Sequence, residues 1–308
     1  GYAYPFIDKE ILEQSFPALK ELLVFSYGFT FEGNLVPPLQ DDLWMIETAW
    51  RHGAKPIMVL TPFSEGAFNN QLVKVLTENV EVQERLLEQL TAEVRRRGFA
   101  GVNIDFEYVK KDFADDYLQF LRELSIACQN NGLVLSVDNY KPANHNAHYE
   151  LAEQAVFVDY IVIMGYDEHY AGSDAGSVAS LPFVEDGISR AVSMVPSEQV
   201  MNAVPFYTRI WTENAGETKS RAVGMQAAMD AMQENGATAE WDETTGQYYC
   251  TYETSAGTVQ IWFEEDRSIG EKMKLYSKYK LGGVAEWKLG LETSSVWSII
   301  SNGLNYAS

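Results

Sequence analysis

Short apolar runs alternate along this chain with longer segments in which apolar residues recur every three or four positions. The runs are YAYPFI (2–7), ELLVFSY (21–27), KPIMVLT (55–61), AGVNIDF (100–106), LVLSVD (133–138), DYIVIMGY (159–166), QVMNAVPFY (199–207) and GGVAEWKL (282–289). They are bounded by Gly, Pro or Asp and are nearly continuous in apolar character, as strands covered on both faces are. Between them, DKEILEQSFPALK, PLQDDLWMIETAWRHG, ENVEVQERLLEQLTAEVRRRG, DDYLQFLRELSIACQNNG and RSIGEKMKLYSKYK carry the helical period, with charges on the opposite face. The pattern predicts an α/β fold of eight strands with intervening helices, a (β/α)8 TIM barrel rather than an open doubly wound sheet. No GxGxxG turn follows the first strand, so the fingerprint of a dinucleotide site is missing.

The alternation breaks once. Residues 212–264 hold a helical pattern, GMQAAMDAMQENG, and then two or three antiparallel strand patterns. TGQYYCTYETSAGTVQIWFE reads as a hairpin with SAG at its turn. We read 212–264 as a small α+β insertion after the seventh strand, within a single catalytic barrel domain spanning 1–308.

Composition narrows the function more than the fold. The chain has 308 residues, of which 46% are hydrophobic, enough for one large core. Its 23 basic and 44 acidic residues give a net charge of -21, which repels phosphate backbones and anionic lipid surfaces. Nucleic acid is therefore excluded as a partner. No apolar run reaches the roughly 20 residues that span a bilayer, and membrane insertion is not expected. Cys128 and Cys250 lie in no CxxC cluster and are expected as free, buried thiols. The opening GYAYPFI already reads as a strand, so a leader or further modules are expected to lie outside this chain.

The chemistry concentrates in AGVNIDFEYV, residues 100–109. Side chains alternate along a strand, so Val102, Ile104 and Phe106 share an apolar face while Gly101, Asn103, Asp105 and Glu107 share the other. The polar face must point into the barrel, and the acids fall at the C-terminal end of the strand, where barrel active sites lie. Carboxylates two residues apart stand roughly 6–7 Å from each other, close enough for one pKa to rise. Glu107, the outermost, is the candidate general acid. Asp105, one layer deeper, can turn toward it and hold it. Aromatic residues near other strand ends (Tyr4, Phe6, Tyr27, Tyr108, Tyr166, Tyr207, Trp211 and Trp287) offer flat faces on which a sugar can stack.

GVNIDFE resembles the DGxDxDxE signature of glycoside hydrolase family 18, the chitinase-like enzymes, with Ala100 and Asn103 standing where the family has aspartates. MGYDEHY (164–170) resembles the MxYD motif of its sixth strand, VPFYTRIW (204–211) the end of its seventh, and GGVAEWKLG (282–290) its eighth. The resemblance implies a glycosidase that cleaves β-1,4 bonds next to N-acetylglucosamine by the substrate-assisted retaining mechanism for which this family is an exception among glycosidases. It implies Glu107 as acid, and Asp105 and Tyr166 as the residues that orient and steady the substrate's acetamido group. It further implies Asn103, Met164, Asp167, Tyr207, Arg209, Trp287, Tyr4 and Tyr27 around the sugar, with Trp287 as its floor. No metal or cofactor is required.

The four motifs most resemble the bacterial branch linked to spores and cell walls, whose members often carry LysM or SH3-like wall-binding modules. The implied partner is an N-acetylated glycan, peptidoglycan first and chitin oligomers second, and the implied location is extracellular, at the cell wall or spore. A carbohydrate-binding, lectin-like protein without catalysis is the alternative, against which the retained Glu107 counts. His145 and His148, three apart in HNAH, show no third ligand for a metal, and the absence of a GxSxG elbow argues against a serine hydrolase.

Overall fold

The computed structural model describes residues 1–64 and 67–304; the last four positions of the 1–308 span, and residues 65–66 within it, lie outside the described residues. Eight parallel strands pair in chain order: β1 (Tyr2–Ala3), β2 (Glu21–Phe29), β3 (Lys55–Leu60), β4 (Gly101–Ile104), β5 (Val134–Tyr140), β6 (Tyr160–Met164), β7 (Val200–Pro205) and β8 (Gly283–Trp287). Between β8 and β1, the Leu289 N–H donates to the Tyr2 carbonyl at 2.9 Å and brings the ends of the sheet together. The result is the nearly closed (β/α)8 barrel that the alternation predicts.

Helices follow the strands: α1 (Lys9–Ser15), α2 (Leu43–Arg51), α3 (Asn70–Glu78), α4 (Val80–Arg97), α5 (Ala114–Asn130), α6 (Leu151–Phe157) and α7 (Leu181–Val192). Their ends are set by local chemistry. Asn79 accepts the Val82 N–H to cap α4, and Gly98 closes that helix with φ +85°, which a side chain would strain.

Two apolar layers separate inside from outside. Val102, Ile104 and Phe106 join the large core between barrel and helices, where the Phe106 ring packs near Phe29 and Phe120. Tyr2, Leu23, Phe25, Ile57, Val59, Val162, Ala203 and Ala285 fill the barrel itself. The two faces of β4 thus point as the alternation requires. β1 is shorter than the YAYPFI run, because Pro5 has no N–H to continue a ladder.

After β7 the chain forms a five-stranded antiparallel sheet from Tyr207–Asn214, Glu217–Gly224, Glu240–Asp242, Gln247–Thr254 and Gly257–Phe263. The helix α8 (Met225–Glu234) packs on it around Ala228, Cys250 and Ile261. The expected hairpin is present, with Thr254 paired to Gly257 across its turn. The sheet begins at Tyr207, however, within the segment read as the end of the seventh strand. The polar strand Glu217–Gly224 has no apolar period to announce it. Helix α9 (Asp266–Lys278) returns the chain to β8, and α10 (Val296–Leu304) closes the described chain. Lys272 of α9 forms a buried ion pair with Glu264, one residue past the last strand of this sheet, at 2.9 and 3.0 Å. Both cysteines are buried and unpaired.

Candidate active site

β4 ends against the backbone of its neighbours. A Cβ on Gly101 would come within 2.4 Å of the Val134 carbonyl, so the strand can start this close to β5 only with glycine. Beyond Ile104 the Asp105 N–H still donates to the Leu60 carbonyl at 3.0 Å, which anchors Asp105 at the barrel's top layer. Asp105 is buried, and Glu107 above it is half-buried. Both line a cleft of about 1220 Å³ at the C-terminal ends of the strands. That volume exceeds the usual small-ligand pocket and admits more than one sugar.

Burial is the first cause that raises both acids. For Asp105 the carboxylates of Asp138 and Glu107 push it further, well above the usual range. For Glu107, Asp167 adds to the rise, while a hydrogen bond from the Tyr140 hydroxyl at 2.7 Å opposes it. Glu107 therefore keeps its proton to higher pH than an exposed glutamate.

Trp287 lies at the end of β8 amid an aromatic wall, its ring centroid 4.9 Å from Phe25, 5.7 Å from Tyr2 and 6.0 Å from Tyr4. Met164, Tyr166 and Asp167 also line the cleft. Gly165 sits where a Cβ would fall within 2.7 Å of the Asn202 amide, which lets the segment turn into the mouth. Asp167 takes a left-handed φ of +58° and accepts a hydrogen bond from the Tyr207 hydroxyl. Burial raises the Tyr166 phenol, so it stays a hydrogen-bond donor.

Residues 57–292 match the family model described as glycosyl hydrolases family 18. The chain belongs to this family. As a family 18 member it is a glycosidase. It is 28% identical over 312 residues to the cortical fragment-lytic enzyme of Bacillus subtilis (strain 168), covering 96% of this chain and 70% of that protein. The spore cortex-lytic enzyme SleL of Bacillus megaterium QM B1551 superposes with a TM-score of 0.91 at 23% identity, covering 98% of this chain and 73% of that one. A chitinase from Chromobacterium violaceum ATCC 12472 gives the same TM-score, 0.91, at 22% identity and 98% coverage of both chains.

This family 18 barrel gathers Glu107, Asp105, Tyr166, Asp167, Met164, Trp287 and Tyr4 around one cleft. Tyr207 stands behind Asp167 and reaches the cleft through it. Three expected positions lie elsewhere. Tyr27 is buried outside the barrel, its hydroxyl donating to Asp42 at 2.7 Å, and cannot meet a ligand. The cause is one extra residue in β2: Val24 pairs with Met58 but Tyr27 with Leu60, and the slip turns Tyr27 to the other face. Asn103 is fully buried beneath Asp105, and its amide donates to Ser136 and Asp138 at 2.9 Å rather than to Asp105 or a substrate. Arg209 lies on the antiparallel sheet and bonds Ser220 at 3.1 Å, away from the cleft wall.

Asp138 and Tyr140 of β5, not among the residues expected from sequence, also line the cleft. The alternation that identified Asp105 and Glu107 applies equally to Ser136, Asp138 and Tyr140, a polar inward face in an apolar strand. Among the described residues, no group of three or more His, Cys, Asp or Glu side chains is arranged to hold a metal.

Proposed function

We propose that this glycosidase cleaves β-1,4 bonds next to N-acetylglucosamine in peptidoglycan, using the substrate's own acetamido group as nucleophile. The observation that carries the mechanism is the commitment of the other cleft carboxylates. Among the described residues that line the cleft, the other carboxylates are Asp105 and Asp138, buried below Glu107, and Asp167, tied to Tyr207, and none of these stands opposite Glu107 to attack a sugar. The acetamido oxygen then attacks the anomeric carbon as the glycosidic C–O bond breaks. The Glu107 proton passes to the leaving oxygen. Asp105 accepts the acetamido N–H and the Tyr166 hydroxyl donates to its carbonyl oxygen, steadying the positive ring intermediate. Glu107, now a carboxylate, takes a proton from water as the water oxygen opens that ring. The anomeric configuration is retained.

Trp287 is the apolar floor under the sugar in this reading, with Tyr4 beside it, Met164 and Asp167 at its edges and Tyr207 holding Asp167. Peptidoglycan is favoured over chitin by the similarity to the cortical fragment-lytic enzyme of Bacillus subtilis and by Lys110 and Lys111 at the cleft rim. Neither lysine is within 4 Å of a carboxylate among the described residues, so both are available to the acid groups of a wall glycan. The same reading takes the chain as one catalytic unit acting at the spore or cell wall, with any wall-binding modules outside it.

Reducing-end release from purified peptidoglycan and from a chitooligosaccharide tests the proposal. The parent should digest peptidoglycan faster, and Glu107→Gln should lower that rate by about 10²- to 10⁴-fold. Undiminished turnover by the variant would refute the assignment of the acid, and faster cleavage of chitooligosaccharide would refute the wall substrate.

A further inference from the structure

Strand β5 brings to the cleft a carboxylate that the mechanism above leaves without a role. Asp138 is only 5% exposed. Its Oδ1 accepts from the Tyr2 hydroxyl at 2.6 Å and from the Asn103 amide at 2.9 Å. Both donors meet the same oxygen, which leaves Oδ2 for a proton. Asp105 stands one residue past the Ile104–Val137 ladder pair and is therefore level with Asp138 on the next strand, about 4.8 Å away along the sheet. One Asp105 oxygen, Oδ1, is buried with no hydrogen-bond partner.

The titratable groups that face this pair are Tyr2 from β1, Tyr4 just beyond it, Glu107 above β4, Tyr117 from α5, Tyr160 from β6 and Tyr166 beyond it. None is a cation, and among the described residues no Lys, Arg or His pairs with Asp105 or Asp138. Two buried carboxyl groups side by side without a counter-charge cannot both ionise.

We propose that Asp138 is the positioning residue for Asp105: the two carboxyl groups hold one proton between them, and Asp138 keeps it when Asp105 turns toward Glu107 and the substrate's acetamido group. The inference rests on the roles proposed above for Glu107 and Asp105. The step balances within the pair. Asp105 leaves as a carboxylate while Asp138 is a neutral acid on Oδ2, and the proton is shared again on return, with none exchanged with water. Position 103, where the family signature has aspartate, here carries an amide that donates to Asp138. The carboxylate missing from β4 is thus supplied by β5. Burial pushes Asp138 up to about 7, in keeping with a group that holds a proton near neutrality, although the bonds from Asn103 and Tyr2 pull the other way.

The test uses the full chain and whichever glycan the parent cleaves fastest, with Glu107→Gln inactive on it as the control that the acid is correctly assigned. Asp138→Asn keeps shape but cannot hold the proton. It should lower kcat by about 10²-fold with KM little changed, and should erase an inflection near pH 7 from the kcat profile. Adding Asn103→Asp to Asp138→Asn returns a carboxylate to β4 and should recover most of the lost rate. Parental kcat and pH profile in Asp138→Asn, or a double variant no faster than the single, would overturn the proposal. If the single variant does not fold, carbon-13 titration of the parent's carboxyl groups decides. Linked two-step curves for Asp105 and Asp138 support sharing, and independent single steps in the ordinary aspartate range refute it.

Discussion

Tyr140 donates its hydroxyl to Glu107, and a donor to a carboxylate favours its charged form. The general acid is thus tuned by two opposed influences, burial raising it and one phenol restraining the rise. Tyr140→Phe removes the restraint. The Glu107 pKa should then climb, and the alkaline limb of the kcat profile should move to higher pH. An unmoved or acid-shifted limb would show that the hydrogen bond does not govern the acid. Glu107→Gln and Tyr140→Phe separate possession of the proton from control of when it is lost.

Among the elements, β2 shows what a single extra residue does. With Tyr27 turned outward, its hydroxyl bonds Asp42, which also faces Arg97 of α4 at 3.3 Å, so the residue ties barrel to helix. Tyr27→Phe leaves that buried carboxylate short of a donor and should cost about 1–3 kcal/mol of stability in urea unfolding. KM should not change. A weakened KM in a fully stable variant would restore Tyr27 to the cleft. The same strand shows why the sequence carries part of the answer only. The eight apolar runs and the two faces of β4 are written in residue type, since burying Asp105 and Glu107 on the helix side would be costly. The slip in β2 is a matter of backbone register, to which residue type is blind. Asp138 is legible by the same alternation rule, but its strand carries none of the four family motifs. The Glu217–Gly224 strand is half solvated and polar throughout, so no apolar period marks it.

Across the whole molecule, the barrel and the antiparallel sheet are joined at a charge. Glu264 and Lys272 are each only 1% exposed at the side chain and satisfy one another. Lys272→Met should destabilise the protein by about 3–5 kcal/mol by stranding Glu264, and pairing it with Glu264→Leu should recover much of the loss. A single variant as stable as the parent would mean that the pair holds nothing together. The buried acids of the cleft set a second global property. Asp138 is raised to about 7, so the folded state retains a proton that the unfolded chain has already lost above about pH 4. That contribution is fully present below the unfolded value and disappears as pH rises through the folded one. Unfolding free energy should therefore fall between about pH 4 and pH 7, and Asp138→Asn should flatten the slope; a rise across that window would contradict it. The two cysteines carry one more consequence. Burial pushes the Cys128 thiol up to about 12 and the Cys250 thiol up to about 11, so at neutral pH almost no thiolate exists to react. The folded protein should be indifferent to glutathione, to mild peroxide and to alkylating reagents, and keep its shape in oxidising and reducing surroundings alike.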